Sequence, residues 1–305
     1  MVKQSFLANL SNQRQLLFMS LPLILYILLF SYVPLWGWVM AFQNYNPRWN
    51  FLSQQWAGFR WFKFLFSDPG FGKVLRNTLA MSFINMALGY VSAICFALLL
   101  NELRKIAFKR IVQTISYLPH FLSWVIVTGL VASMLAVENG VVNDLLLFLG
   151  IIKEPILFLS EPNYFWGIVG ATYVWKEVGW NTIIYLAAMA GIDPNLYEAA
   201  EIDGCNRFHK MWYITLPGIK PTIIILLIMS IGRVLDAGFE MQYLLQNGLI
   251  QDVSETIDIY VLKYGIQLRN YSLATAAGMF KNVVNVSLIF FANWLAKRFG
   301  EERLV

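Results

Sequence analysis

The side chains able to do chemistry are few and sit in unusual places. Lys176, Glu177, Arg233, Asp236, Glu240 and Lys281 fall inside long apolar stretches. An ionised group within a bilayer costs about 2.5–3.5 kcal/mol unless it is paired or wetted. These groups are therefore expected to face one another or a wet path. Arg233, Asp236 and Glu240 stand at i, i+3 and i+7, one stripe of a helix. Glu177 and Asn181 stand at i and i+4, as do Lys281 and Asn285. With Trp175, Trp180, Gln242, Tyr243 and Asn282, they combine hydrogen-bonding groups with aromatic faces, the two features sugar recognition uses. The competing expectation is that Arg233–Asp236 and Lys176–Glu177 are internal ion pairs that brace the helices or a subunit interface.

No catalytic constellation accompanies them. The patterns HExxH, CxxC and GxSxG do not occur. Gly72-Lys73 is followed by Val74 where a phosphate loop needs Ser or Thr, and Ser67 stands at the first glycine position. His120 and His209 lie far apart on different kinds of segment, so neither a metal site nor a catalytic residue is expected.

The charges crowd instead into Asp193–Lys210. Asp193 is a good N-cap and Pro194 fits the first helical position. Glu198, Ala199 and Ala200 favour a helix, and Gly204 can close it in the left-handed conformation. A second short helix is expected from about Asn206 to Ile214, with Pro217 stopping it. The segment reads as a helix-turn-helix on one membrane face, or more plainly as an amphipathic loop at the interface.

The elements that hold these residues follow from composition. Of 305 residues, 58% are apolar and 16% aromatic; 13% are charged, against about 25% in a soluble domain. The mean hydropathy is +0.57. A soluble fold would expose large apolar patches, so a polytopic membrane protein is expected. The net charge of +5 is ordinary for such a protein and does not argue for nucleic acid. Cys95 and Cys205 do not form a disulfide scaffold. Six apolar runs are long enough to cross, at about 16–42, 77–100, 111–137, 164–192, 221–243 and 273–295. The first is too long for a signal peptide's apolar part and lacks a small-x-small cleavage site. The Asn101–Arg110 segment carries four basic residues against one acid, and Lys297 and Arg298 open a basic tail. Both place the termini, residues 1–15 and 298–305, and the 193–217 loop in the cytoplasm. The loop after the first run, with Arg48, Arg60, Lys63, Lys73 and Arg76, runs against that rule.

One resemblance is specific. Glu198-Ala199-Ala200, Gly204, Ile214 and Leu216-Pro217 match the pattern EAA-x3-G-x9-I-x-LP without departure. That pattern marks membrane subunits of bacterial ABC importers. Gly58–Phe66, Arg76-Asn77-Thr78, Leu118-Pro-His-Phe121 and Trp175–Asn181 also resemble the carbohydrate-uptake branch, including maltose-type permeases. The resemblance implies an all-α, type I importer fold over residues 16–297 and a place in the bacterial inner membrane. It implies an ATP-driven uptake role with no cofactor in this chain. ATP-Mg would sit on two partner ATPase subunits. A second, homologous permease subunit and an extracytoplasmic binding protein that delivers a carbohydrate would complete the complex. Glu198, Ala199, Ala200, Asp203, Gly204, Ile214, Leu216 and Pro217 would form the coupling segment that docks on an ATPase. Phe59–Phe66 is expected to lie as an interfacial helix or else to join Asn247–Glu255 as an outside surface available to the binding protein. A permease for peptides or phosphate, a membrane-embedded enzyme and a secondary carrier are the remaining readings.

Overall fold

The computed structural model describes residues 14–298, most of them helical. The expected N-terminal segment 1–15 and the tail 298–305 fall almost wholly outside that range. The helices are α1 (Arg14–Ile27), α2 (Arg60–Ser67), α3 (Pro69–Asn101), α4 (Ile106–Tyr117), α5 (Trp124–Met134), α6 (Val141–Phe148) and α7 (Pro162–Ala190). They continue with α8 (Pro194–Ile202), α9 (Arg207–Lys210), α10 (Leu216–Ile231), α11 (Phe239–Leu245), α12 (Gln251–Ser254), α13 (Ile257–Leu262) and α14 (Tyr271–Arg298). The chain divides into two compact units. One holds residues 14–67 and 263–279, the other 68–262 and 280–298.

In the first unit α1 carries straight on through a π turn, Leu28–Tyr32, and a 3-10 stretch, Val33–Phe42. Pro34 sits at the start of that stretch, where its missing N–H is tolerated. A two-residue hairpin follows, β1 (Gln43–Asn44) antiparallel to β2 (Gln55–Trp56). Gln54 closes its loop: Nε2 donates to the carbonyls of Asn46, Trp49 and Asn50, and Oε1 accepts from the Asn46 N–H. Phe42 gathers Trp56, Phe59 and Phe62 within 5.8 Å, ring centre to ring centre. Ser272 Oγ donates to the Gln43 carbonyl at 2.6 Å, tying the hairpin to α14.

The second unit is built on α3 and α7. Asp68 caps α3 by accepting the Gly70 N–H at 2.9 Å, with Pro69 in the first turn. Small residues let the two helices approach: a Cβ at Gly89 would lie 2.9 Å from the Tyr173 ring, and one at Gly170 would lie 2.7 Å from Ile84. Further along, Ala93 and Ala97 pack with Tyr185, Met189 and Ile219. The buried positions of α7 recur at i, i+3, i+4 and i+7, and include Thr172, Lys176 and Thr182. Protein rather than lipid surrounds that stripe, so it tolerates polar residues.

Among the described residues, four helices are long and apolar enough to cross a membrane: Phe18–Phe42, Pro69–Asn101, Arg207–Ile231 and Tyr271–Arg298. A fifth candidate is a bent pair. The expected uninterrupted run 111–137 is in fact Ile106–Phe121 and Trp124–Met134, which meet at 103°. Pro119 lies in the last turn of the first piece, and Ser123 starts a new helix by accepting the Ile126 N–H. α7 has 29 residues, long enough to span, but its polar content keeps it out of that count. α3 is not lipid-facing throughout: it buries Asn77, Thr78, Ser82 and Asn85.

Gly179 marks the tightest contact of α7. A Cβ there would stand 2.1 Å from the Ser116 carbonyl oxygen of α4, whereas one at Gly167 meets nothing within 4 Å. Gly179→Ala is expected to destabilise the purified protein by about 1–3 kcal/mol. Gly167→Ala should be neutral or slightly stabilising. Thermal unfolding of the detergent-solubilised variants, side by side, checks this.

Candidate functional site

The Asp193–Pro217 segment folds through its own local signals. Asp193 accepts the Asn195 N–H at 3.0 Å and Pro194 opens α8. Gly204 (φ +76°) ends it: the Cys205 N–H reaches the Ala200 carbonyl at 2.9 Å and the Gly204 N–H reaches Glu201 at 3.1 Å. This is the paired 6→1 and 5→2 bonding of a left-handed helix end. No neighbour lies within 4 Å of a Cβ at Gly204, so its requirement is backbone conformation alone. Asn206 then caps α9 through the His209 N–H at 2.9 Å.

Two contacts hold the two short helices as one piece. Tyr197 Oη and Thr215 Oγ1 are 2.9 Å apart. Lys210 Nζ lies 2.5 Å from Glu201 Oε1. The Lys210 ammonium, through that hydrogen bond and its charge, holds the Glu201 carboxyl below its ordinary range, with a smaller contribution from Arg104. A lowered carboxylate pKa means that the pairing is complete above the usual carboxylate range and is lost as pH falls through the lowered value. The piece is anchored to the helices above it. Ala200 is buried, Leu216 packs on the Ala93–Tyr185–Ile219 cluster, and a Cβ at Gly218 would lie 2.7 Å from Ile192.

Pro217 does not stop the second helix, contrary to expectation. The helical chain runs from Arg207 to Ile231. A π turn at Met211–Thr215 absorbs the proline: the Leu216 N–H bonds back to Met211, and the missing N–H of Pro217 falls in the first turn of α10. Glu198, Ala199, Asp203 and Pro217 are exposed, while Ile214 and Leu216 are half-buried. The segment also exposes Leu196, Ile202 (88%), Phe208 (79%), Trp212 and Tyr213. Their exposure is not visible in the spacing pattern, which fixes only where the helices begin and end.

The expected stripe of Arg233, Asp236 and Glu240 does not exist. α10 ends at Ile231, residues 232–238 are non-helical, and Gly238 (φ +88°) turns the chain into α11. Side chains hold the irregular backbone open: Asn285 Oδ1 accepts the Leu235 N–H at 3.1 Å, and Gln242 Nε2 donates to the Ala237 carbonyl. Asn85 Nδ2 reaches that carbonyl as well, at 3.5 Å. Asp236 therefore pairs with Lys281 rather than with Arg233. Lys281 Nζ lies 2.5 Å from both Asp236 and Asp258.

Beside this break lies a cavity of about 470 Å³, within the range of small-molecule sites. α3 contributes Ser82, Asn85 and Tyr90, and α7 contributes Tyr173, Asn181 and Tyr185. The end of α10 and the break contribute Ser230, Arg233 and Asp236. Asn181, Arg233 and Asp236 are thus brought together. Ser82, Asn85 and Gly89 form an i, i+3, i+7 stripe on α3 that carries no charge, which is why attention to charge alone passes over it.

The other path candidates lie elsewhere. Glu177 Oε2 accepts from His120 Nδ1 at 2.8 Å and Glu177 pairs with Lys176 at 3.4 Å, so here the bracing ion pair is what forms. Trp180 stacks on the His120 ring at 4.4 Å, and buried Lys176 donates to the His120 carbonyl at 2.6 Å, so this cluster clamps the bend before α5. Asn285 serves the backbone of the break. Trp175, Asn282 and Glu240 are exposed, and Tyr243 stacks on Phe239 at 5.4 Å. None of them lines the cavity. Among the described residues no group of three His, Cys, Asp or Glu is placed to hold a metal.

Comparison with known proteins gives consistent results. Residues 93–301 match the family model "Binding-protein-dependent transport system inner membrane component". The polygalacturonan/rhamnogalacturonan transport system permease protein YteP of Bacillus subtilis (strain 168) is 46% identical over 98% of this chain and 93% of its own length. The lactose transport system permease protein LacF of Rhizobium radiobacter is 31% identical over 77% and 78%. Among solved structures, a chain of a bacterial alginate ABC transporter, in complex with an alginate pentasaccharide-bound periplasmic protein, superposes with a TM-score of 0.91. It is 36% identical and the match covers 99% of this chain and 100% of that one.

The shared ammonium predicts a simple asymmetry. Lys281→Met leaves two carboxylates without their cation and should cost about 1–3 kcal/mol. Lys281→Arg should retain most of the stability. Adding Asp236→Asn and Asp258→Asn to Lys281→Met should recover part of the loss. Thermal-shift measurements on the four proteins check the order.

Proposed function

The chain belongs to the binding-protein-dependent transport system inner membrane component family, and from that premise we propose how it works as a carbohydrate importer's permease. It spans the inner membrane and conducts a sugar; the chemistry that drives transport is assigned to other subunits. The observation that carries the coupling part of the reading is the Asp193–Pro217 piece. It is rigid within itself, anchored to α3, α7 and α10, and exposes apolar and acidic side chains on a face that needs a partner. We assign this face to a cytoplasmic ATPase subunit that binds ATP-Mg. Glu198 offers a charge-assisted contact, Ala199 permits close approach, and Gly204 sets the angle between the helices.

The two ends of α3 support the topology. Arg104, just past its C-terminal end, is close enough to lower the Glu201 carboxyl. At its other end Lys73 pairs with Asp252 at 3.0 Å, and Arg76 and Asn77 donate to the Asp252 carbonyl. A helix of 33 residues spans about 50 Å, more than a bilayer's hydrocarbon core. The coupling piece and the Asn247–Glu255 segment thus belong on opposite faces. With the basic Asn101–Arg110 loop inside, both termini are cytoplasmic and Asn247–Glu255 faces the extracytoplasmic binding protein. In this arrangement the bent pair and α7 complete six crossings over residues 16–297, and a second, homologous permease subunit forms the other half of the pathway.

The relatives leave the kind of sugar open: YteP is named for polygalacturonan and rhamnogalacturonan transport and LacF for lactose. The coupling assignment is tested by Glu198→Lys and Gly204→Asp. Each should reduce co-purification of the ATPase and lower ATP-driven uptake about tenfold or more, with the permease itself recovered at normal yield. Normal uptake and normal co-purification in both variants would overturn it.

A further inference from the structure

The charges around the cavity suggest which of those sugars it accepts. Arg233 lines it, is exposed, and among the described residues has no Asp or Glu partner. The nearest acid in sequence, Asp236, is already matched by Lys281 at 2.5 Å. The guanidinium is therefore the cavity's one lining cation, and its lining acid is occupied. Asn85 and Ser82 line the same cavity at only 7% and 6% exposure, and Asn85 Oδ1 and Ser82 Oγ have no hydrogen-bond partner. Buried polar atoms of that kind cost stability unless something satisfies them.

We propose that this cavity takes a sugar residue bearing a carboxylate, a uronic acid, and that Arg233 is the residue that reads it. This rests on the carbohydrate-import reading above. A guanidinium presents paired N–H donors that match a carboxylate's two oxygens, and the pairing strengthens where water is scarce. Asn85 and Ser82 take the sugar's hydroxyl groups. A neutral sugar of the same shape leaves the guanidinium without a counter-charge, which is the larger source of discrimination in a site built for a charged group.

The experiment uses the whole transporter, with its partner permease, ATPases and binding protein, in proteoliposomes. Trigalacturonate and trimannuronate are the acidic probes. Their methyl esters, with galactotriose and maltotriose, are the neutral ones. Uptake is normalised to the assembled complex recovered. The wild type is expected to take up an acidic probe in preference to its ester. Arg233→Gln should lower acidic uptake tenfold or more and leave neutral uptake within about twofold. Arg233→Lys, which keeps the charge but not the fork, should fall between. Uptake of neutral probes alone by the wild type overturns the assignment while leaving the import reading intact. So does an Arg233→Gln variant whose acidic uptake is unchanged, or whose acidic and neutral uptake fall together. Uptake of no probe at all overturns the import reading itself.

Discussion

A backbone that leaves its helix inside a membrane must find new hydrogen-bond partners, because lipid offers none. Residues 232–238 face that constraint, and much of the second unit is arranged around it. Asn285 from α14, Gln242 from α11 and Asn85 from α3 each satisfy a backbone group of the break. These three amides come from three helices, so the break also fixes where those helices sit. An irregular segment of this kind is tolerated where it lines a cavity, and here it does. The cavity is thus the place that makes the broken helix affordable.

The Asp193–Pro217 piece was readable because its signals are local. Asp193, Pro194 and Gly204 act within four residues of themselves, and each does in the structure what its chemistry requires. The path was not readable in the same way. Arg233, Asp236 and Glu240 have helical spacing, but Gly232 and Gly238 bracket a turn that depends on distant amides. Spacing describes a helix only where a helix persists. Lys176 and Glu177 were legible as a pair, but their meaning depends on His120, 56 or 57 positions away. Asn85 and Ser82 carry no charge, so a search for ionisable groups in apolar runs misses them. The bend at 103° was hidden because both of its arms are apolar.

Bracing and cavity lining are divided between two polar clusters on one helix. On α7, Lys176, Glu177 and Trp180 face the bend, and Asn181 and Tyr173 face the cavity. A turn of helix separates structural ion pairs from groups available to a ligand. The residues that resist lipid most strongly in the sequence are therefore not all at the cavity. The Lys281 ammonium makes the same point: its neutralising role frees the cavity from the charge of Asp236.

The π turn at Met211–Thr215 has a geometric consequence for the whole segment. One residue of an α-helix corresponds to about 100° of rotation. A single extra residue in the turn therefore sets the azimuth of everything after it independently of what precedes it. Upstream, the phase of α9 is fixed by Lys210 against Glu201 and by the Asn206 cap. Downstream, the phase of α10 is fixed by Ile219 in the core and Gly218 against Ile192. The wide turn reconciles two angular demands that a regular helix could not meet together. Removing one residue there would leave every contact residue in place in the sequence and turn half of them to the wrong side.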